Sequence, residues 1–354
     1  MMTQGNGTDG SHRCEGAAAA VVVDCLRLLR ERATAAHAGA LEIKETSKSW
    51  VVLTSTEVFK LKKPIRNHFQ DLSTVVAREE NCRNEVRLNR RLAPDVYLGA
   101  VPITREASGR LEIDGEGPAV DWLVHMRRLP EQRMLDRVIL AGDARTDVTR
   151  DCLALLADRL TGFYGAAPKA PLAPADYVRH FAEEHVRNRE VLTDHRFALG
   201  SDFLTGLMAR FEVALSALAA SLEDRVQQGR IVEGHGDLRP EHVCLVDPPV
   251  VIDCLEFSAR LRMMDPFDEL VFLGLECALL GAPDIETFLV ERCAEGLEDR
   301  PRDALLRFYE SYRALLRARQ SLAHLLVPNP REPSKWLPKA QGYLAVADRA
   351  LIMP

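Results

Sequence analysis

The sequence lacks several features that would assign it to a common class. Its eight cysteines form no Cys-x-x-Cys motif, and none lies at zinc-ligand spacing from a histidine. We therefore expect free thiols and a cytoplasmic location. No uninterrupted apolar run approaches the roughly 20 residues of a membrane-spanning helix, so no membrane partner is expected. A net charge of −6 does not favour a nucleic-acid partner.

The chain is long enough for two lobes with separate cores. Its 354 residues are 47% hydrophobic and 28% charged, an ordinary balance for a folded protein. Residues 1–16, rich in Gly, Thr and Ser, predict a disordered tail. Residues 17–126 predict an N-terminal lobe of a leading helix, a β-sheet and a second helix. Residues 127–354 predict a helical C-terminal lobe that contains a hairpin at 231–256.

Hydrophobic periodicity supports this division. β-Branched and aromatic segments at Trp50–Thr54 and Val58–Lys62 predict a hairpin, and Leu72–Leu92 predicts a helix. Three further strands follow before Pro130. Helix-period segments then dominate, at Leu135–Ile139, Thr149–Phe163, Tyr177–Leu192, Ser201–Gln228, Pro266–Leu280, Ile285–Gly296, Arg302–Leu326 and Ser334–Ile352.

The most informative segment is residues 233–256. It places Asp237 in a turn, His242 five residues later, then a short apolar strand and Asp253. In phosphoryl transfer one carboxylate orients the attacking hydroxyl, and a second holds the magnesium that bridges the nucleotide phosphates. The spacing therefore predicts that chemistry. The alternative is a plain loop between strands, because Gly and Asp are common turn residues.

His235-Gly-Asp-Leu-Arg-Pro-Glu-His242 resembles the catalytic loop of eukaryotic-like kinases, and more closely that of aminoglycoside phosphotransferases and choline kinases. Four further blocks are similar to a bacterial group of aminoglycoside-phosphotransferase-like proteins: Glu45–Trp50, Val58–Pro64, Cys82–Pro94 and Met126–Pro130. The similarity covers roughly residues 40 to 280. It implies an α+β, protein kinase-like fold with a small β-rich N-lobe and a mainly helical C-lobe. Some relatives add a P-loop domain, which we expect to be absent here because no Gly-x4-Gly-Lys-Ser/Thr motif occurs.

The resemblance implies nucleotide-binding residues in the N-lobe. Lys60 matches the strand lysine that contacts the α- and β-phosphates, and Glu85 matches its helix partner. Lys62 is the alternative to Lys60, because strand alternation puts both on one face. Both lysines also suit an exposed edge strand, and a helix Glu is usually solvent-exposed.

The resemblance also places the adenine hinge at Met126, Arg127 and Leu129, although the same residues serve equally as a plain connector. Residues 46–56, where most kinases carry a Gly-rich phosphate loop, contain no glycine. Backbone N–H groups or the Ser and Thr hydroxyls of this segment are the available replacements, because both donate to anions.

In the catalytic segment, Asp237 is the predicted base that orients the acceptor hydroxyl. Arg239 is predicted to neutralise charge on the transferring phosphoryl group. An ion pair with Glu241 or Glu233 is the alternative role for Arg239. His235 is predicted to support the loop rather than to take part in the chemistry.

The predicted metal ligands are Asp253 and His242, with Glu256 in support. His242 replaces the kinase asparagine, and imidazole suits magnesium poorly. This leaves open a single metal, a preference for manganese, or a loss of transfer activity. Asp268 is predicted to brace the catalytic loop from the next helix, or to be a helix N-terminal acid.

The sequence thus predicts an ATP- and Mg²⁺-dependent phosphotransferase, with Mn²⁺ as the alternative ion, acting between the lobes on a hydroxyl of a small molecule. Acids at Asp176, Glu183, Glu184 and Glu190 are candidates to receive a cationic acceptor. The alternative function is a catalytically impaired nucleotide-binding or interaction protein on the same fold. A protein substrate is disfavoured, because too few residues separate Glu256 from Asp265 for an activation segment.

Overall fold

The computed structural model describes residues 23–31, 41–67, 70–327 and 329–352. The predicted tail lies outside these residues, as do both ends of the predicted leading helix. The chain folds into two compact units. The first contains the described residues up to Pro130 together with Ile252–Ser258, and the second contains Glu131–Val251 and the described residues from Ala259 onward.

The first unit is built on a six-stranded antiparallel sheet. Its strands are β1 Glu42–Glu45, β2 Ser49–Leu53, β3 Glu57–Lys62, β4 Tyr97–Arg105, β5 Leu111–Ile113 and β6 Ala119–Arg127. They lie in the order β1-β2-β3-β6-β4-β5. A first helix, α1, covers residues 23–31 in the described part of the chain, and α2 spans Val75–Asn89 with Thr74 as its N-cap.

Strand alternation gives this sheet two different faces. Phe59 and Leu61 of β3 point to one side, where they pack with Cys25 and Leu29 of α1 in a buried apolar core. The intervening lysines point to the other side, toward α2. The β-rich period of β3 therefore separates a core face from a charged face.

The second unit is mainly helical. Its helices are α3 Leu135–Leu140, α4 Asp147–Ala166, α5 Pro174–Leu192, α6 Ser201–Gln227, α7 Pro266–Leu279, α8 Asp284–Gly296, α9 Asp303–Ala323 and α10 Pro333–Ile352. Two short antiparallel pairs interrupt them. β7 Val232–Glu233 pairs with β10 Met263–Met264, and β8 Val243–Cys244 pairs with β9 Val250–Val251.

Helix α7 is central to the second unit. Every residue from Pro266 to Cys277 is buried, which requires neighbours on all sides of the helix. Gly274 lets α8 approach closely, since a Cβ there would lie 2.4 Å from the Cβ of Glu286. This close packing leaves Glu286 partly buried.

Glu286 should make stability depend on pH. Burial, together with the Glu310 carboxylate, raises the pKa of Glu286 from 4.5 to about 8. A raised acid pKa leaves stability intact below the unfolded value and lowers it as pH rises through the folded value. We expect Glu286→Gln to raise the melting temperature by about 2 °C at pH 9 and to leave it nearly unchanged at pH 5.

The control for this prediction is Glu291→Gln, which changes an exposed glutamate on the same helix. It should leave the melting temperature unchanged at both pH values. An equal gain for Glu286→Gln at pH 5 and pH 9 would show that packing, not ionisation, is responsible.

By length and composition, helix α6 is apolar enough to cross a membrane, the one such helix among the described residues. A single helix of this kind is a weak indication of a span. Two of its arginines form ion pairs inside the second unit. Arg210 pairs with Asp348 of α10, and Arg225 pairs with Asp265, the N-cap of α7.

The α+β prediction is confirmed, with a β-rich first unit and a mainly helical second unit. Most predicted helices and strands agree with the observed bounds to within three residues. Strand β1 precedes the two segments of the predicted hairpin and pairs with β2. The prediction of a second hairpin at 231–256 needs correction. Its strands are only two residues long, and Ile252–Ser258 belongs to the first unit rather than to the C-terminal lobe.

Candidate functional site

The first unit carries an ion-pair cluster on its lysine face. The Lys60 Nζ lies 2.9 Å from Glu85 Oε1 and 2.8 Å from Asp253 Oδ1. Lys60 comes from β3 and Glu85 from α2, while Asp253 lies in the segment that follows β9. The structure therefore brings together three of the residues that the sequence singled out.

Lys62 extends this cluster along the same face. Its ammonium pairs with the second oxygen of Glu85 and lies 2.9 Å from Glu256 Oε1. The side chain of Lys62 is only 1% exposed, whereas that of Lys60 is 16% exposed. Of the two lysines, Lys60 is therefore the one that a ligand can reach.

Besides these side-chain contacts, three hydrogen bonds that involve the backbone of Asp253–Glu256 tie this segment to α2 and β4. The Asp253 N–H donates to the Tyr97 hydroxyl at 3.1 Å, and the Cys254 N–H donates to Asn89 Oδ1 at 2.8 Å. The Asn84 side-chain amide donates to the Glu256 carbonyl at 2.7 Å. These bonds are the physical reason that the segment joins the first unit. Sequence reasoning missed all three partners, since a polar residue on α2 or β4 carries no local signal of a distant backbone contact.

The charges in this cluster stabilise one another. Burial alone would lower the pKa of Lys60, but the carboxylates of Asp253, Glu85 and Glu256 raise it well above its usual value. Burial would raise the pKa of Glu256, and the ammonium groups of Lys62 and Lys60 lower it instead. The lysines are thus cations and Glu256 an anion at neutral pH.

Asp253 combines an unusual backbone with an accessible carboxylate. Its φ of 62° is left-handed, a region that Asp and Asn tolerate better than most residues. Its side chain is 45% exposed although one oxygen contacts Lys60. An exposed carboxylate is the hard oxygen ligand that magnesium prefers, so Asp253 fits the predicted metal role.

The predicted hinge residues lie at the end of β6. Met126 pairs with Val58 of β3 and is buried, while Arg127 is exposed. The N–H groups of Arg127 and Arg128 donate to backbone carbonyls of the first unit. Leu129 follows the strand, and within the described residues its N–H donates to no backbone carbonyl.

A separate group of candidate residues lies in the loop between β7 and β8, in the second unit. Glu269 of α7 is fully buried and accepts from the backbone N–H groups of His235, at 2.9 Å, and Gly236. It also accepts from the Tyr164 hydroxyl at 2.9 Å. One buried carboxylate thus fixes the start of the loop that presents Asp237.

Asp268 was predicted to brace this loop or to be a helix N-terminal acid. It lies in the first turn of α7, and its carboxylate accepts two hydrogen bonds from Arg313, both at 2.6 Å. The N-cap role belongs to Asp265, which accepts from the Phe267 N–H at 2.9 Å. Three acids begin α7, and the sequence offers no signal that selects Glu269 among them.

Asp237 is held by Arg239. The guanidinium donates to Asp237 Oδ2 at 3.0 Å and also pairs with Glu241. Burial would raise the pKa of Asp237, but the nearby cations, chiefly Arg239, lower it below its usual value. Asp237 is therefore ionised at neutral pH. Arg239 pairs with Glu241 beside Asp237, so this geometry is compatible both with the ion-pair role and with charge neutralisation at Asp237. Glu233 pairs with Arg262 instead.

His242 is built into the same loop. Its Nδ1 lies 2.8 Å from the Asp237 carbonyl oxygen, and its Nε2 lies 3.2 Å from the Arg239 guanidinium. Nδ1 therefore carries a proton and Nε2 accepts one hydrogen bond. A lone pair that already faces a guanidinium is a poor metal ligand, so this geometry argues against the predicted metal role of His242.

His235 is buried, and its Nδ1 accepts from the Asp237 N–H at 3.3 Å. This contact is in line with a supporting role. Among the described residues, no three His, Cys, Asp or Glu side chains are grouped so that they could hold a metal ion.

The acids expected to receive a cationic acceptor are mostly paired with arginines. Glu184 contacts Arg187 and Arg319, and Glu183 contacts Arg260. Asp176 forms an ion pair with Arg179. These pairs neutralise three of the four candidates, which weakens the case for a strongly cationic acceptor.

The order of strands and helices within the two units is that of the protein kinase-like fold. No family model matches the chain. A choline/ethanolamine kinase family protein from Mesorhizobium loti is similar over 89% of each chain, at 15% identity and a TM-score of 0.53. The aminoglycoside phosphotransferase APH(4)-Ia, in a thermostable mutant form, is similar over 89% of this chain and 94% of its own, at 14% identity and a TM-score of 0.51.

Two curated relatives share sequence as well. They are uncharacterized proteins of Mycobacterium bovis and Mycobacterium tuberculosis, each 28% identical over 291 residues. The match covers 79% of this chain and 54% of each relative, so the chain spans about half the length of the curated relatives it matches. The solved structures establish the fold.

Proposed function

We propose that this protein transfers the γ-phosphoryl group of ATP to a hydroxyl of a small molecule. The observation that carries the proposal is the contact of Lys60 with both Glu85 and Asp253. A cation held between two carboxylates, one of them exposed, is the arrangement that positions nucleotide phosphates and a divalent ion in kinases.

Within this proposal each member of the cluster has a separate task. Lys60, kept protonated by its neighbours, contacts the α- and β-phosphates as a point charge. Glu85 fixes the direction of the Lys60 side chain. Asp253 holds magnesium, which when bound neutralises charge on the β- and γ-phosphates. Lys62, which pairs with both Glu85 and Glu256, stabilises the cluster.

Adenine recognition is assigned to the end of β6. The N–H groups of Arg127 and Arg128 are already used within the first unit, which leaves the N–H of Leu129 as a donor to the base. The buried side chain of Met126 provides an apolar surface beside it.

Asp237 is assigned to the acceptor hydroxyl. Its lowered pKa makes it a weak base but a permanent anion, suited to orienting a hydroxyl proton rather than removing it early. This is consistent with phosphoryl transfer, in which positioning and charge contribute most of the catalysis. Arg239 neutralises charge at the same place.

A small acceptor is favoured over a protein. Only eight residues lie between Glu256 and Asp265, and the short strand β10 and part of the connection to α7 occupy them. The APH(4)-Ia enzyme, at a TM-score of 0.50, has been solved with AMP-PNP and hygromycin B, a small molecule. This likeness supports the substrate class without identifying the acceptor.

The test is nucleotide binding by calorimetry with ATP and either Mg²⁺ or Mn²⁺. We expect metal-dependent binding, weakened at least about tenfold (about 1.4 kcal/mol) in Asp253→Asn. Asparagine keeps the left-handed backbone at this position, so the change removes charge with little strain.

The matched control is Asp114→Asn. Asp114 also has a positive φ, of 59°, but it is an exposed residue after β5, outside the cluster. It should bind ATP like the wild type. Failure of the wild-type protein to bind ATP with either metal would contradict the proposed function.

A nucleotide-binding protein without transfer activity is the second candidate. It is favoured by one observation: the Arg239 guanidinium donates to the Asp237 carboxylate that the transfer reaction would need. Normal ATP binding without any turnover, in the presence of a broad set of hydroxyl compounds, would support this candidate.

A further inference from the structure

The turn between β1 and β2 stands where a Gly-rich loop is expected, and it contains no glycine. Its backbone is well defined by Thr46, whose side-chain oxygen accepts from the Ser49 N–H at 2.9 Å. The Lys48 carbonyl accepts from the Lys63 N–H at 2.8 Å. These bonds place Lys48 beside the end of β3, close to the lysine face.

Lys48 has an unusual environment for a cation. Its ammonium lies 3.6 Å from the centroid of the Phe257 ring, next to Glu256 in the chain. It forms no ion pair with a carboxylate in the described part of the chain. Burial, followed by the nearby ammonium groups of Lys62 and Lys60, lowers its pKa, opposed by Glu256 and Asp253. The ammonium thus contacts an aromatic face, while no carboxylate of the described residues lies within ion-pair distance of it.

Ser49 supplies a second, independent observation. In the β2–β3 pairing Ser49 lies opposite Lys62, and Val51 lies opposite Lys60. Residues directly opposite each other in an antiparallel pair share a face, so Ser49 is on the lysine face. Its hydroxyl belongs to a residue that is 1% exposed and has no hydrogen-bond partner. A buried hydroxyl without a partner is costly unless a ligand supplies one.

We infer that Lys48 and Ser49 bind the β- and γ-phosphates of the nucleotide and replace the missing Gly-rich loop. The inference rests on the proposed function. A Gly-rich loop covers phosphates with backbone N–H groups, which need glycine so that the backbone can approach closely. A long lysine side chain reaches the same anion without that approach. The phosphates supply the counter-charge that Lys48 lacks and the acceptor that Ser49 lacks.

The test compares ATP and adenosine binding by calorimetry for the wild type and Lys48→Met. We expect ATP affinity to fall about tenfold or more, while adenosine affinity is unchanged, because adenosine carries no phosphate. Ser49→Ala should lower ATP affinity about threefold. Lys48→Arg, which keeps the charge, should retain most of the affinity and would show that the turn still folds.

Lys63→Met is the matched control, because it removes the same charge from the same hairpin. Lys63 lies on the opposite side of β3 from Lys62 and pairs with Glu45 at 2.6 Å, so ATP affinity should not change. If the wild type binds ATP and Lys48→Met binds it with the same affinity, the inference is overturned and the proposed function stands. If the wild type binds no nucleotide, both are overturned.

Discussion

Replacing Asp237 with asparagine is expected to lower the rate of phosphoryl transfer by roughly 10²–10⁴-fold while leaving ATP affinity nearly unchanged. Asparagine keeps the size of the side chain but loses the negative charge that orients the acceptor hydroxyl. The nucleotide contacts assigned here lie in the first unit and do not involve Asp237. The measurement is ADP release under saturating ATP, with acceptors taken from a screen of hydroxyl compounds, alongside ATP calorimetry.

The control for this prediction is Glu241→Gln. Glu241 also pairs with Arg239, so its loss disturbs the same arginine without removing the proposed orienting group. It should retain most of the transfer rate. Equal rates for Asp237→Asn and the wild type would remove Asp237 from the mechanism.

The lowered pKa of Asp237 also bears on how the transfer activity depends on pH. Its pKa lies below the usual 3.8, despite burial, because Arg239 and the other nearby cations stabilise the carboxylate. The ionised form is therefore lost only as pH falls below that value. A loss of activity between pH 5 and pH 7 would have to be assigned to a different group.

The second large effect concerns stability. Asp268→Asn is expected to destabilise the second unit by roughly 3–5 kcal/mol, because it leaves the buried Arg313 without its counter-charge. The two side chains are only 4% and 7% exposed. Urea unfolding followed by circular dichroism measures the change.

The matched control is Asp158→Asn, which breaks the pair with Arg292 on the surface of the same unit. Solvent screens this pair, so a much smaller loss is expected. The double substitution Asp268→Leu with Arg313→Met should recover much of the stability, because no buried charge remains. An Asp268→Asn loss no larger than that of the surface control would contradict this account.

The Asp268→Asn substitution should also displace the loop between β7 and β8, which contains Asp237. Asp268 precedes Glu269, whose carboxylate holds the backbone of His235 and Gly236. A displaced start of α7 would move that carboxylate. Two neighbouring acids thus have different roles. Asp268 stabilises the helix packing through Arg313, and Glu269 positions the loop.

The fold and the candidate site were predictable to different degrees. The bounds of α6, β3 and β6 follow from patterns within each segment, because hydrophobic period and strand propensity are local properties. The pairing of Lys60 with Glu85 followed from the resemblance of short motifs. The partners of Asp253–Glu256 did not, because Tyr97, Asn89 and Asn84 are polar residues whose local sequence predicts only exposure.

The sequence by itself determined the element types, the candidate segment 233–256 and the short set of acids and lysines from which a site could be built. Tertiary structure decided which member of each set is used. Lys60 and Lys62 share a face by alternation, and only packing against α2 leaves Lys60 accessible and buries Lys62. The isolated ammonium of Lys48 is likewise a tertiary property. Alternation is set by neighbouring residues, whereas burial and counter-charge depend on segments distant in the chain.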